Sequence, residues 1–107
     1  MAKDIAGRVC RLDDLVTYQS GAIVSRVLLK RKLGSITVFA FDAGEALSTH
    51  STPFAALIQV LEGEAEVTLS GKFHRLGSGD SLLMPADAPH AVRAAIQFKM
   101  LLTLYKD

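Results

Sequence analysis

The sequence predicts an all-β fold of antiparallel strands, a sandwich or a barrel. Across most of its 107 residues apolar and polar side chains alternate with period two. Turn residues interrupt that alternation at intervals of about ten positions, and helical periodicity is scarce.

Taken in order, Ile23 to Arg31 (IVSRVLLKR) and Ser35 to Asp42 (SITVFAFD) are the first clear strands, broken at Gly34 and stopped by the turn Asp42-Ala43-Gly44. Leu57 to Leu61 and Glu64 to Ser70 form a hairpin about Glu62-Gly63, and a tight turn follows at Ser70-Gly71-Lys72. Phe73 to Leu76 is a short strand, Gly77-Ser78-Gly79-Asp80 is a turn, and Ser81 to Met84 is a strand ended by Pro85. Pro85 and Pro89 remove two backbone donors and fix two φ angles, so the loop between them is stiff and delivers His90 into the next strand. From there the even positions His90, Val92, Ala94, Ile96, Phe98, Met100, Leu102 and Leu104 read as one buried face, with Arg93, Gln97, Lys99 and Thr103 on the other. Before residue 22, Val9, Leu12 and Leu15 fit a helical turn or a strand, and a short edge strand or a turn is expected. The expected organisation is one domain over 1–107, with an N-terminal edge segment at 1–21 and a barrel at 22–105.

Bulk composition removes several classes of function. Half of the residues are hydrophobic and 21% are charged, which is globular rather than disordered. Twelve Lys and Arg against eleven Asp and Glu leave a net charge of +1, with no basic stripe for nucleic acid. The cluster Lys30-Arg31-Lys32 reads as a solvated strand end. The single Cys10 cannot form an intramolecular disulfide and reads as a small packing residue. Met1 to Gly7 lacks the apolar segment of a signal peptide, so a cytoplasmic location is expected. Apolar runs such as Ile23 to Leu29 and Met100 to Leu104 are too short to span a bilayer, so no membrane partner is expected. Asp13-Asp14 reads as an exposed cap or turn pair, because nothing near it in sequence would bury and tune a catalytic carboxylate.

Two spaced constellations carry whatever chemistry the chain has. Gly44 is followed after five residues by His50, then by Thr52, Ala56 and Gly63; Gly79 is followed after five residues by Pro85, then by Asp87, His90 and Ala94. With the stretches VLEGEAEVTLSG and GDSLLMPADAPH, this frame resembles the two motifs of the small single-domain members of the cupin superfamily. The resemblance covers about half of the chain. It implies an antiparallel jelly-roll β-barrel, also called a double-stranded β-helix. It also implies a site where four inward groups converge, normally three imidazoles and a carboxylate that hold a transition ion. In this chain the four positions carry His50, Thr52, Ala56 and His90. Two imidazoles with water make an incomplete set, expected to hold a divalent ion (Zn, Ni, Fe, Mn or Cu) only weakly, since tight sites recruit three or four protein ligands.

Strand parity completes the expected pocket. Gln59 has the opposite parity from Ala56, His74 reads as a surface or edge histidine, and Glu62, Glu64 and Glu66 read as a wet face, so none repairs the set. The expected ligand pocket is His50, Thr52, Phe54, Ala56, Met84 and His90. Phe39, Phe41, Ile58, Phe98, Met100 and Leu102 serve mostly as core. Thr52 could hydrogen-bond either ring, and Arg93 points outward, which disfavours phosphate. Such a pocket suits a compact ligand with an apolar body and one polar or anionic group.

Two functions follow, and the sequence leaves catalysis open between them. The first is binding of a small organic ligand with an incomplete metal site. The second is a metal-dependent enzyme of dioxygenase or isomerase type, with His50 and His90 as ligands and water completing the shell. Metal-free acid–base catalysis, as in the sugar-epimerising members of the superfamily, lacks an inward carboxylate or tyrosine partner. The resemblance further implies a homodimer, and Leu57, Gln59 and Leu61 give one central strand an outward face that fits one.

Overall fold

The computed structural model describes residues 4–107. Its strands are β1 (Ile23–Arg31), β2 (Gly34–Phe41), β3 (Ala46–His50), β4 (Ala55–Glu62), β5 (Glu64–Leu69), β6 (Lys72–Gly77), β7 (Ser81–Met84), β8 (His90–Arg93) and β9 (Phe98–Tyr105). They form a five-stranded sheet of order β1-β2-β9-β4-β7 and a four-stranded sheet of order β3-β8-β5-β6. All pairings are antiparallel. The chain alternates between the sheets instead of completing one before the other, which makes the expected jelly roll, or double-stranded β-helix.

Period-two alternation places the core. Phe41, Ile58, Phe98 and Met100 from the larger sheet meet Ala65, Val67, Leu76 and Val92 from the smaller one in a single buried cluster. Phe41 and Phe98 are register partners on β2 and β9, and their rings stack with centroids 4.5 Å apart. A stack of that kind adds about 1 kcal/mol to the area the rings bury.

The larger sheet is apolar on its outer face too, and the N-terminal segment covers part of it. Of the edge strand or turn expected before residue 22, the turn is what forms: Leu12–Leu15 wind into a 3-10 turn. Leu12, Leu15, Val16 and Tyr18 then pack with Val38, Ala40, Leu61 and Leu101. Two polar contacts fasten this strap, and a third joins their partners. The Tyr18 hydroxyl donates to Glu62 Oε2 at 2.6 Å, Lys99 Nζ donates to the Asp13 carbonyl oxygen at 2.6 Å, and Lys99 lies 3.9 Å from Glu62. Leu61, one of the outward residues that suggested a dimer face, therefore lies under the chain's own strap. Cys10 is exposed rather than packed.

The even-numbered run that begins at His90 does not continue as one face. β8 ends at Arg93, the chain turns through 94–97, and β9 begins in the other sheet. Ile96, which parity would bury, is 53% exposed. The corner is fixed by backbone pairing: the Ala94 amide donates to the Glu45 carbonyl oxygen, and the Gly44 amide donates to that of Ala94. An alternation read through a turn fails there because the turn changes which sheet the next residues join.

The connections sort the molecule into two rims. At one rim lie the turns that carry Gly44, Gly63 and Gly79. Gly63 has φ +75°, and a β-carbon there would fall onto the Gln97 carbonyl oxygen and within 2.8 Å of Phe98 Cα. At the other rim lie the end of β3, the start of β8 and the hairpin between β1 and β2. Among the described residues no helix is long and apolar enough to cross a membrane.

Candidate functional site

His50 ends β3, His90 starts β8, and the two are register partners. Paired residues of an antiparallel ladder project to the same face, so both rings meet at the rim. Their centroids are 4.4 Å apart and their planes 64° apart. His90 is 6% exposed, whereas His50 is open to solvent.

Both rings are held in the same way. His50 Nδ1 lies 2.8 Å from the Ser48 carbonyl oxygen, and His90 Nδ1 lies 3.0 Å from that of Ala88. A carbonyl oxygen only accepts, so each neutral ring carries its hydrogen on Nδ1 and keeps the lone pair of Nε2. Side chains locked through one nitrogen in this manner have a defined orientation for the other.

The two loops that flank the pair are joined. Residues 51–54 follow His50 and residues 85–89 precede His90, and the Asp87 amide donates to the Thr52 carbonyl oxygen at 2.7 Å. Asp87 has φ 67°, a left-handed conformation that favours glycine. Aspartate is one of the few other residues that visit this region readily. Thr52 lies beyond the end of β3, in the loop rather than on a strand face shared with His50. Its Oγ1 accepts from the Phe54 amide at 3.3 Å, which turns the hydroxyl toward its own loop.

The remaining expected pocket residues separate into floor and flank. Ala56 and Met84 are register partners on β4 and β7, each 1% exposed in the core beneath the rim. Phe54 faces the β1–β2 side. There it lines a cavity of about 270 Å³ with Val27, Thr37 and Leu104, rimmed by Lys30 and Arg31. Lys106 Nζ stands 5.1 Å above the Phe54 ring. Thr37 and Leu104 have the inward parity of β2 and β9, a signal that periodicity alone could have caught. Lys30 gave no such signal.

The donor set falls short of a tight metal site. Among the described residues no three His, Cys, Asp or Glu side chains gather to hold an ion. His74 stands on edge strand β6 opposite Val67, and Gln59 is on the outer side of β4. Two imidazole nitrogens are one or two fewer than transition ions need for tight binding.

Comparison with known proteins agrees with this architecture. The profile of the family described as Cupin domain matches residues 37–103. A conserved protein of unknown function from Streptococcus pyogenes is 36% identical, with a TM-score of 0.90 over 94% of this chain and 89% of that one. A cupin 2 conserved barrel domain protein from Leptotrichia buccalis is 40% identical, with a TM-score of 0.85 over 88% of this chain and 46% of that one. A cupin superfamily protein from Desulfitobacterium hafniense is 29% identical, with a TM-score of 0.89 over 94% of this chain and 93% of that one. No curated protein matches the chain in sequence. The family profile spans β2 to β9 and so takes in both histidine-bearing strands and the loops that join them: the chain belongs to the cupin family.

Proposed function

We propose that this cupin binds a small organic molecule at the rim that carries His50 and His90, without a tightly held metal ion. One observation supports the reading above all others. Two imidazoles from neighbouring strands stand 4.4 Å apart, each fixed through Nδ1 to a backbone carbonyl. His90 is 6% exposed, and a buried imidazole is costly unless its polar atoms are used. Two oriented Nε2 acceptors suit a hydroxyl or amino group of a ligand whose apolar part lies against Phe54 at the same rim.

A fragment screen on uniformly ¹⁵N-labelled protein tests the proposal. Bound fragments are expected to shift the amides of His50, Thr52 and His90. The melting temperature is expected to stay unchanged on chelation and on addition of Zn, Ni, Fe, Mn or Cu. Fragments that bind only away from this rim overturn the ligand assignment. Stoichiometric retained metal, with a large fall in melting temperature on chelation, would replace it with the metal-dependent enzyme. That second reading has one feature in its favour: metal-ligating histidines are commonly oriented by the same carbonyl contact.

A further inference from the structure

The β1 strand holds a feature that its sequence conceals. Val27 pairs with Thr37, yet Leu29 pairs with Ile36, so a bulge at Leu28 inserts one extra residue into the ladder. Before the bulge the odd positions Ile23, Ser25 and Val27 oppose the inward residues Phe41, Phe39 and Thr37. Simple alternation would continue inward with Leu29. The bulge moves Leu29 to the outer face opposite Ile36 and brings Lys30 opposite Ser35, on the inward side. A one-residue shift exchanges the two faces of a strand, and bulges commonly re-aim side chains beside functional sites.

Lys30 consequently rims the cavity of about 270 Å³ whose walls include Val27, Thr37, Phe54 and Leu104. Arg31 lies beside it, with one Nη1 donating to the Lys30 carbonyl oxygen at 2.9 Å. Lys106 completes the group above Phe54. Among the described residues no acidic side chain lines the cavity. Among the described residues none of these three cations has an ion-pair partner. The cavity thus joins apolar walls to positive charge that no ion pair engages among the described residues, at the same rim as the histidine pair.

We infer that the ligand is a small carboxylic acid, its carboxylate received by Lys30 and Arg31 and its apolar body lying against Val27, Phe54 and Leu104. The inference rests on the barrel-ligand reading above and adds the chemical class. A carboxylate suits the site better than a phosphate ester. Part of the Arg31 guanidinium is already engaged, and Ser35 and Thr37 are the neutral polar side chains of the lining, which is little to hold a dianion.

The test titrates benzoate, benzamide and phenyl phosphate into the ¹⁵N-labelled chain at low ionic strength, following the amides of Val27, Thr37, Phe54 and Leu104. Benzoate is expected to shift them and to bind about tenfold more tightly than its neutral isostere benzamide, with affinity falling as salt is raised. The double variant Lys30→Met, Arg31→Met is expected to weaken benzoate by about tenfold and leave benzamide unchanged. Lys106→Met, expected to weaken benzoate less, serves if the double variant does not fold. Equal affinity for benzoate and benzamide overturns the carboxylate while the ligand site stands. Tighter binding of phenyl phosphate than of benzoate overturns the choice of anion. If none of the three shifts these amides while other fragments shift His50 and His90, the inference falls alone. If no compound shifts the rim, both readings fall together.

Discussion

The Asp87 amide donates to the Thr52 carbonyl oxygen at 2.7 Å, so one backbone hydrogen bond ties the loop after His50 to the loop before His90. Its geometry depends on Asp87 holding φ 67°. Asp87→Gly is expected to keep the bond and leave stability within about 0.5 kcal/mol, because glycine enters this region without steric cost. Asp87→Ala is expected to lose about 1 kcal/mol, and Asp87→Val more, since a β-carbon is crowded there. Urea denaturation midpoints of the three variants check the order. Equal stability of the glycine and valine variants would contradict it.

Gly63 presents a harsher case at the opposite rim. Its φ of +75° disfavours any β-carbon, and the space is filled by the Gln97 carbonyl oxygen and Phe98. Phe98 in turn stacks on Phe41, so a displaced Phe98 disturbs that stack in the core. Gly63→Ala is expected to destabilise by about 3 kcal/mol or more, combining backbone strain with overpacking. Gly71, which has φ +81° but no atom within reach of a β-carbon, is the control. Its alanine variant is expected to lose only the backbone part, about 1 kcal/mol, by the same denaturation measurement.

The N-terminal strap has a signature in alkali. Burial raises the Tyr18 hydroxyl above its ordinary value near 10, and the hydrogen bond to Glu62 and the charge of Glu62 add to the effect. A raised folded value means that the strap's contribution is fully present below the unfolded value. It is lost as pH climbs above about 10, where the unfolded chain ionises first. Tyr18→Phe is expected to cost about 1 kcal/mol at neutral pH through the missing hydrogen bond. The variant's stability should also decline less steeply in alkali than that of the unchanged chain. Parallel slopes in denaturation curves recorded from neutral pH into alkali would show that Tyr18 does not anchor the strap.

What the sequence makes legible is the frame. Alternation marks most of the strands, and glycine and proline mark the turns. The spacing from Gly44 to Gly63 and from Gly79 to His90 brings His50 and His90 together from positions forty apart in number. Three things stayed hidden, each for a physical reason. β3 (ALSTH) has only Leu47 directed inward before His50, too short and too polar an alternation to register as a strand. The run after His90 keeps its parity through residues 94–97 although the chain changes sheets there, because parity carries no information about a turn without glycine or proline. The Leu28 bulge leaves no compositional mark, so the sequence shows Lys30 as the solvated strand end that it is, but not that it also rims the cavity. The sequence also shows that Thr52 and Ala56 stand at the two remaining positions of the resembled site. That Thr52 turns to Phe54 rather than to the rings depends on a loop conformation that residue identity does not specify.

Asp42 supplies a test at the acid end, and one that lies at the far rim from the histidines. Its Oδ1 accepts from Gln97 Nε2 at 3.0 Å, and its Oδ2 accepts from the Gly21 amide at 2.7 Å. The Gln97 bond is the largest cause that lowers its carboxyl below the ordinary value of 3.8, followed by the Gly21 amide. A lowered folded value means that the charged carboxylate stabilises the fold above the unfolded value, and that this contribution disappears as pH falls through the lowered one. Asp42 therefore fastens the start of β1 to the β8–β9 corner at neutral pH and releases it in acid. Asp42→Asn retains the shape but not the charge. The stability gap between the unchanged chain and this variant is expected to be widest well above the ordinary value of 3.8 and to close as pH falls below it. Gln97→Ala should raise the pH at which the contribution of Asp42 begins to be lost relative to the unchanged chain, because the leading cause of the shift is removed. A gap that is constant across that range would mean that the hydrogen bonds serve the amide and the carboxylate equally, and that charge at Asp42 contributes nothing. Because the residue stands at the opposite rim, neither variant should alter the shifts that fragments produce at His50 and His90. A change in those shifts would reveal that the two rims are coupled through the sheets.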